Sequence, residues 1–249
     1  MRLPSRLKSI VQFIPPGTIV ADVGTDHAML PVYLVREGIA KRVVAGDLHC
    51  GPLEAARKNV TEAGLADRII LRQGYGLEIV KPGERTGRAD PDGSDEPPAV
   101  DVAVIAGMGG TTIRSIIETA GDDAFRLKQL VLQPMADSGH LREWLVDHGW
   151  RIAAEDIVKE DGILYQVISA VPGVEETADR TLVSVGPRLF EKMHPLLIEV
   201  LTGEIQKHKQ AASNMEKSAA DTTAIKRKQL LKRIDKLEWV VECLLNARR

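Results

Sequence analysis

The sequence predicts an α/β protein: a doubly wound, mainly parallel seven-stranded sheet whose last two strands form an antiparallel hairpin, followed by an antiparallel, coiled-coil-like helical hairpin. Three observations predict it. Five short apolar runs alternate with helical patterns, two β-prone runs around Asp-Gly break that alternation, and the carboxyl-terminal tail carries apolar residues three and four apart.

Along the chain, Leu7, Ile10, Val11 and Ile14 share one helical face, and Pro15-Pro16-Gly17 stops that helix. Residues 18–24 form an apolar run ending at glycine, which reads as a buried strand. Residues 43–47, 69–71, 102–106 and 130–132 repeat the pattern, and helical patterns at 28–37, 52–63, 111–120 and 138–148 fall between most of them. Continuously apolar strands need both faces covered, as in a parallel sheet between helix layers. After Trp150, runs at 151–158 and 163–171 flank Asp161-Gly162, a pair suited to a two-residue hairpin turn. Residues 81–99 are rich in Pro, Gly and acidic residues with no hydrophobic period, so 82–99 is expected to be a mobile insertion between the third and fourth strands, with a lid over a substrate as the alternative. From Pro187 onward, Phe190, Met193, Leu197, Leu201, Ile205, His208, Ala212 and Met215 form one helical stripe. Leu230, Ile234, Leu237, Val241 and Leu244 form a second, and 216–223 make the turn between them. The expected domains are 1–172 and 187–249.

A chain of 249 residues, 44% hydrophobic, is long enough for a full core. No stretch approaches the roughly 18 uncharged apolar residues of a membrane span, and no signal-peptide apolar region precedes the first helix, so a cytoplasmic protein is expected. Cys50 and Cys243 lie in no metal-ligand spacing, which argues against a metal. The net charge of −2 hides an asymmetry: residues 188–249 hold 13 Lys and Arg against 8 Asp and Glu, whereas the remainder holds 20 against 27. A basic tail on an acidic body suits a polyanion partner, although solvated helices are lysine-rich for blander reasons.

Doubly wound sheets bind ligands beyond the carboxyl ends of their strands. Gly24 lets the backbone turn tightly after the first strand, Asp22 places a carboxylate for a ligand ammonium, and Asp47, 23 residues beyond Gly24, suits the hydroxyls of a ribose. The loop lacks the further glycines of GxGxxG, and Asp26 would repel a pyrophosphate but tolerate a sulfonium. These features favour S-adenosylmethionine over a nicotinamide dinucleotide. A parallel sheet closed by an antiparallel pair is also the Rossmann-like architecture of class I methyltransferases. The remaining strand ends complete a cofactor set of Asp22, Gly24, Asp47, Leu48, Gly74, Tyr75, Ala106 and Gly107. A substrate pocket is expected from Met29, Met108, Gly109, Gly110, Gln133 and Pro134, with the glycines at 107, 109 and 110 clearing space for a flat substrate.

Several motifs in order carry a closer resemblance: DVGTDHAMLP at 22–31, GPLEAARKN at 51–59, AGMGG at 106–110, LQPM at 132–135 and LREWL…DHGW through Trp150. With Ser5-Arg6-Leu7, the EDG turn at Glu160 and Gly186-Pro187, the chain resembles over nearly its whole length the TrmK family of bacterial tRNA (adenine-22 N1)-methyltransferases. Met29 stands where the family pattern has an aromatic residue, and Tyr75 where Gly-Asp-Gly-Leu is more usual. The resemblance implies a tRNA substrate and direct displacement at the sulfonium methyl by N1 of adenine. Asp26 would then stabilise the developing cationic ring and His27 handle the exocyclic proton; the alternatives are a helix cap and a helix-start residue bonded to backbone. Arg2, Arg6 and Lys8 at one end and Lys226, Arg227, Lys228, Lys232, Arg233 and Lys236 in the hairpin would grip phosphates. A monomer or weak dimer is expected, with dimerisation as the rival role for the hairpin. Two other functions stay open from the residues: a methyltransferase acting on another RNA, a protein or a small molecule, and a non-catalytic cofactor-sensing module.

Overall fold

The computed structural model describes residues 3–80, 99–215 and 221–247, arranged as two compact units, Met1–Glu175 and Glu176–Arg249. Arg2, all of the expected insertion at 82–99 but its last residue, and most of the expected 216–223 turn lie outside the described residues.

The first unit is built on a seven-stranded sheet of order β3-β2-β1-β4-β5-β7-β6. Its strands are β1 (Thr18–Val23), β2 (Ala40–Asp47), β3 (Ile69–Gln73), β4 (Val102–Met108), β5 (Gln129–Pro134), β6 (Trp150–Glu160) and β7 (Ile163–Pro172). The first five are parallel, and β7 runs antiparallel between β5 and β6. Asp161 and Gly162 join the last two strands with φ of +49° and +78°, the left-handed pair that a tight hairpin requires.

Helices α1 (Ser5–Val11), α2 (Met29–Arg36), α3 (Cys50–Glu62), α4 (Gly110–Ala120) and α5 (Ser138–Asp147) cover the two faces. Strand alternation sorts the core. Ala21, Val23, Val44, Ala103, Ile105, Leu130 and Leu132 pack with Ile113, Ile117, Leu141 and Leu145 of α4 and α5. Val20, Val43, Ala45, Val104 and Val131 pack with residues of α1, α2 and α3. On the α5 side, Arg142 donates to Glu155 at 2.6 Å and to Gln166 at 2.7 Å, so this buried guanidinium ties the helix to both antiparallel strands.

The second unit contains α6 (Arg180–Val185), α7 (Pro187–Glu191), α8 (Leu197–Met215) and α9 (Asp221–Ala247). Asp179 caps α6, its carboxylate accepting from the Thr181 and Leu182 amides. The stripe expected to run unbroken from Phe190 is interrupted: α7 ends at Glu191, Met193 is left-handed at φ +46°, and α8 starts only at Leu197. Pro195 is the reason, since it lacks an amide donor and disfavours helical geometry at His194. Arg227 Nε donates to the Ala212 carbonyl at 3.2 Å and Lys209 pairs with Glu238 at 2.7 Å, which fixes α8 and α9 antiparallel. The α9 seam buries Ile234, Leu237, Val240 and Leu244, so Val240 takes the place expected for Val241. Asp221 to Thr223 belong to α9 and not to a turn.

Candidate active site

Register aligns β1, β2, β4 and β5 beneath the site. Asp22 pairs with Ala45 on β2 and Val104 on β4, and Val104 pairs with Val131 on β5, so these side chains share one face. Asp22 is only 8% exposed, and burial pushes its carboxyl up to about 6. The Thr25 hydroxyl beside it pulls the other way without being aligned for a hydrogen bond. Among the described residues no cation pairs with this carboxylate.

The chain after Asp22 is held tightly. The Gly24 and Thr25 amides both donate to the Gly46 carbonyl at 2.8 Å. Gly24 has φ +75°, a conformation that favours glycine, and a Cβ there would stand 2.2 Å from Met108 Cε and displace that flexible side chain from the loop. His27 and Ala28 are left-handed at +56° and +52°, and Asn59 Nδ2 holds the His27 carbonyl at 2.8 Å. Two consecutive non-glycine residues in this region store backbone strain, a recurrent property of ligand loops. Asp26 and His27 stand in solvent, 3.1 Å apart, with 82% and 55% of their side chains exposed. The α2 N-cap is Ala28, with no side-chain cap, so Asp26 is not the helix cap that was its alternative role.

At the end of β2, Asp47 Oδ1 accepts from the His49 amide at 2.8 Å and turns the chain into α3, while Leu48 is 52% exposed. The Asp47 carbonyl accepts from Gly74, and the Leu48 carbonyl accepts from Gln73, which clasps the β2 and β3 ends. Tyr75 turns away toward the α4 side, its hydroxyl 3.4 Å from Ser115 Oγ. The carboxylate at this strand end comes from Glu78, exposed and accepting from the Tyr75 amide at 3.1 Å. Sequence reasoning looked for an acid next to Gly74 and missed one that a 3-10 turn (Gly76–Val80) folds back.

Strand β4 ends in a bulge between Ala106 and Met108, with Gly107 at φ +75° facing open space. Gly109 has only Thr112 Oγ1 at 3.9 Å near its missing Cβ. Gly110 differs from its expected role: a Cβ there would stand 2.9 Å from the Ala136 and Asp137 carbonyls, so it allows helix packing and does not open a substrate pocket. Gln133 and Pro134 are buried, and the exposed residue at this end is Met135, 52% accessible, whose amide donates to the Met108 carbonyl. Met29 lies at the start of α2, next to His27 and Ala28. It packs on the α1–α3 face and lines a groove of about 580 Å³ between α2 and α3 with Val32, Arg36 and Asn59.

The strand ends thus present a buried uncompensated carboxylate, a strained glycine loop, a second carboxylate on β2 and an open bulge. In the second unit, Lys226, Lys228, Lys232 and Lys236 are exposed on α9, whereas Arg227 is committed in part to the Ala212 carbonyl and Arg233 is half-buried. Arg6 uses its amide on Glu160 at 2.8 Å, and Lys8 is exposed. No described helix is long and apolar enough to cross a membrane.

Comparison with known proteins agrees with this geometry. The family model described as tRNA (adenine(22)-N(1))-methyltransferase, TrmK, matches residues 20–239. The Bacillus subtilis (strain 168) tRNA (adenine(22)-N(1))-methyltransferase is 34% identical, over 97% of this chain and 98% of the relative. The structure of Streptococcus pneumoniae Sp1610 in complex with S-adenosyl-L-methionine is 31% identical with a TM-score of 0.79, covering 96% of this chain and 100% of that one. That of M. capricolum TrmK with S-adenosyl-homocysteine is 26% identical with a TM-score of 0.80, covering 98% and 100%. A family match across most of the chain, joined to a sheet order and a strand-end site that suit a sulfonium cofactor, assigns the chain to the TrmK family of tRNA (adenine(22)-N(1))-methyltransferases.

Proposed function

We propose that this protein methylates N1 of adenine 22 in tRNA, using S-adenosylmethionine, in the cytoplasm. The observation that carries the reading is Asp22: a carboxylate buried at the first strand end with no cation among the described residues beside it, next to a loop whose turn at Gly24 favours glycine. The amino-acid ammonium of the cofactor supplies the missing charge. Asp47 on β2 suits the ribose hydroxyls, Leu48 and Glu78 flank the adenine side, and the open bulge at Gly107 leaves room beside Ala106 for the methyl end. Bound there, S-adenosylmethionine would supply an electrophilic methyl carbon: a nitrogen lone pair would form the new N–C bond as the C–S bond breaks, its electron pair staying on sulfur and S-adenosylhomocysteine leaving as the neutral thioether.

Adenine N1 has an in-plane lone pair and needs no deprotonation before transfer, so the protein's main task is orientation, worth about 7–11 kcal/mol of barrier. The ring becomes cationic. Asp26 stabilises that charge, and His27, 3.1 Å away, takes up exocyclic proton traffic afterwards. An adenine engaged in tRNA structure must be extracted at a cost of a few kcal/mol, which phosphate contacts elsewhere offset. Lys226, Lys228, Lys232 and Lys236 on α9 are the main handle, with Arg6 and Lys8 on α1 in support; Arg227, bonded to the Ala212 carbonyl, and Arg233, half-buried, contribute less. Primer extension on tRNA treated with protein and cofactor tests the reading. Methylation of N1 blocks base pairing, so extension is expected to stop beside position 22, and read-through at full enzyme would overturn it.

A further inference from the structure

Gln133 closes the β5 run Leu130-Val131-Leu132 with a polar side chain that is fully buried. Its Nε2 donates to the Pro134 carbonyl at 3.3 Å and to Met135 Sδ at 3.4 Å. A carbonyl can only accept, so this contact fixes which end of the amide is nitrogen. Oε1 is then left buried with no hydrogen-bond partner among the described residues. An unsatisfied buried acceptor is disfavoured, and a leucine continuing the run would avoid it.

The position of this acceptor gives it a use. Asp22, Val104 and Val131 form one row across β1, β4 and β5, and Gln133 pairs with Ala106 one step further toward the strand ends on the same face. The next residue of β4 is Gly107, which faces open space, and Met135 beside the amide is half exposed. We infer that Gln133 Oε1 accepts a hydrogen bond from the exocyclic 6-amino group of the target adenine, which makes Gln133 the residue that selects adenine. The inference rests on the proposed function and assigns a discriminating contact within it.

The chemistry is specific. An adenine that presents N1 carries a donor, its 6-amino group, on the adjacent carbon. Guanine and hypoxanthine carry a carbonyl oxygen there, which repels Oε1, and a proton on N1 where the lone pair is needed. As N1 gains the methyl, positive charge spreads across N1, C6 and the amino nitrogen, so the bond to Oε1 strengthens during the reaction and favours the transition state over the bound base. Met135 lies over the amide and yields to the incoming base; an unbranched thioether does so at little cost.

The test compares tRNA carrying adenine with tRNA carrying purine, which lacks the 6-amino group, at the target position. Wild-type kcat/KM is expected to fall on purine by about 10- to 100-fold for leaving one buried acceptor unpaired, on top of the loss from purine's weaker N1 nucleophile. In Q133L the adenine-over-purine ratio is expected to shrink about 10-fold or more from its wild-type value, the remainder reflecting the weaker N1 nucleophile of purine, with S-adenosylhomocysteine affinity close to wild type as the check on folding. Equilibrium binding of the two tRNAs in the presence of S-adenosylhomocysteine reads the same contact without turnover, with a preference for adenine in wild type that Q133L loses. Equal use of both substrates by wild type overturns the inference even if Q133L is misfolded, and so does discrimination by Q133L as strong as that of wild type. Failure of wild type to methylate the adenine tRNA at all overturns the proposed function and the inference with it.

Discussion

Replacing Asp22 by asparagine separates what this residue costs the fold from what it gives the ligand. Burial raises its carboxyl from 3.8 to about 6, a penalty on the ionised form of roughly 3 kcal/mol in the unliganded protein at neutral pH. Below pH 3.8 the group is protonated in folded and unfolded chains alike and the penalty is absent. It grows as pH rises toward 6 and is constant above. D22N removes the charge, but its amide must find partners of its own, so a net gain of about 1–2 kcal/mol is expected at pH 7.5. For a chain of this size that is a rise in Tm of roughly 2–8 °C. The ligand should respond oppositely. Without the carboxylate, S-adenosylhomocysteine is expected to bind about 10- to 100-fold more weakly, because a charge-assisted contact is lost. Wild-type affinity should fall about 10-fold between pH 7 and pH 5, with its midpoint near 6, while D22N shows no such step. Thermal denaturation and calorimetric titration across this pH range read both effects. Destabilisation by D22N, or wild-type affinity that is flat between pH 5 and 7, would refute the reasoning.

Three further outcomes are expected. G24A places a side chain at φ +75° and against Met108, so it should cost about 1–2 kcal/mol in urea denaturation and weaken cofactor binding, with M108A relieving the contact but not the backbone strain. Changing Lys228, Lys232 and Lys236 together to alanine should weaken tRNA binding and reduce its salt dependence by about 2–3 units of log–log slope, leaving S-adenosylhomocysteine binding unchanged; an unaltered slope assigns the hairpin another role. D26A and H27A should slow single-turnover methyl transfer at saturating cofactor, D26A by about 10-fold or more, and unchanged rates remove them from the mechanism.

What was legible in the sequence follows from which forces are local. Periodicity and turn chemistry mark the five parallel strands, and Asp161-Gly162 adopts the two left-handed residues that its composition implies. Asp22, Gly24 and Asp47 stand at strand ends, because strand order and loop geometry place them there whatever packs around them. Packing between distant segments was not legible. Gly110 is small because the carbonyls after β5 press on it, Tyr75 is drawn toward α4, and Met29 is pulled onto the helical face between α2 and α3. Each contact joins residues separated by tens of positions. The break between α7 and α8 is the reverse case: Pro195 announces it locally, but the apolar period running through Phe190 and Met193 masks it. Likewise, the role argued for Gln133 rests on burial and an unpaired oxygen, neither of which a residue letter carries.

The most direct test of the central claim is mass spectrometry of nuclease digests of tRNA incubated with the protein and methyl-labelled S-adenosylmethionine. Label is expected in a single nucleoside, 1-methyladenosine, mapping to position 22 and absent from tRNA in which that adenine is replaced. Label in any other nucleoside, or none in tRNA that binds the protein alongside the cofactor, would contradict it.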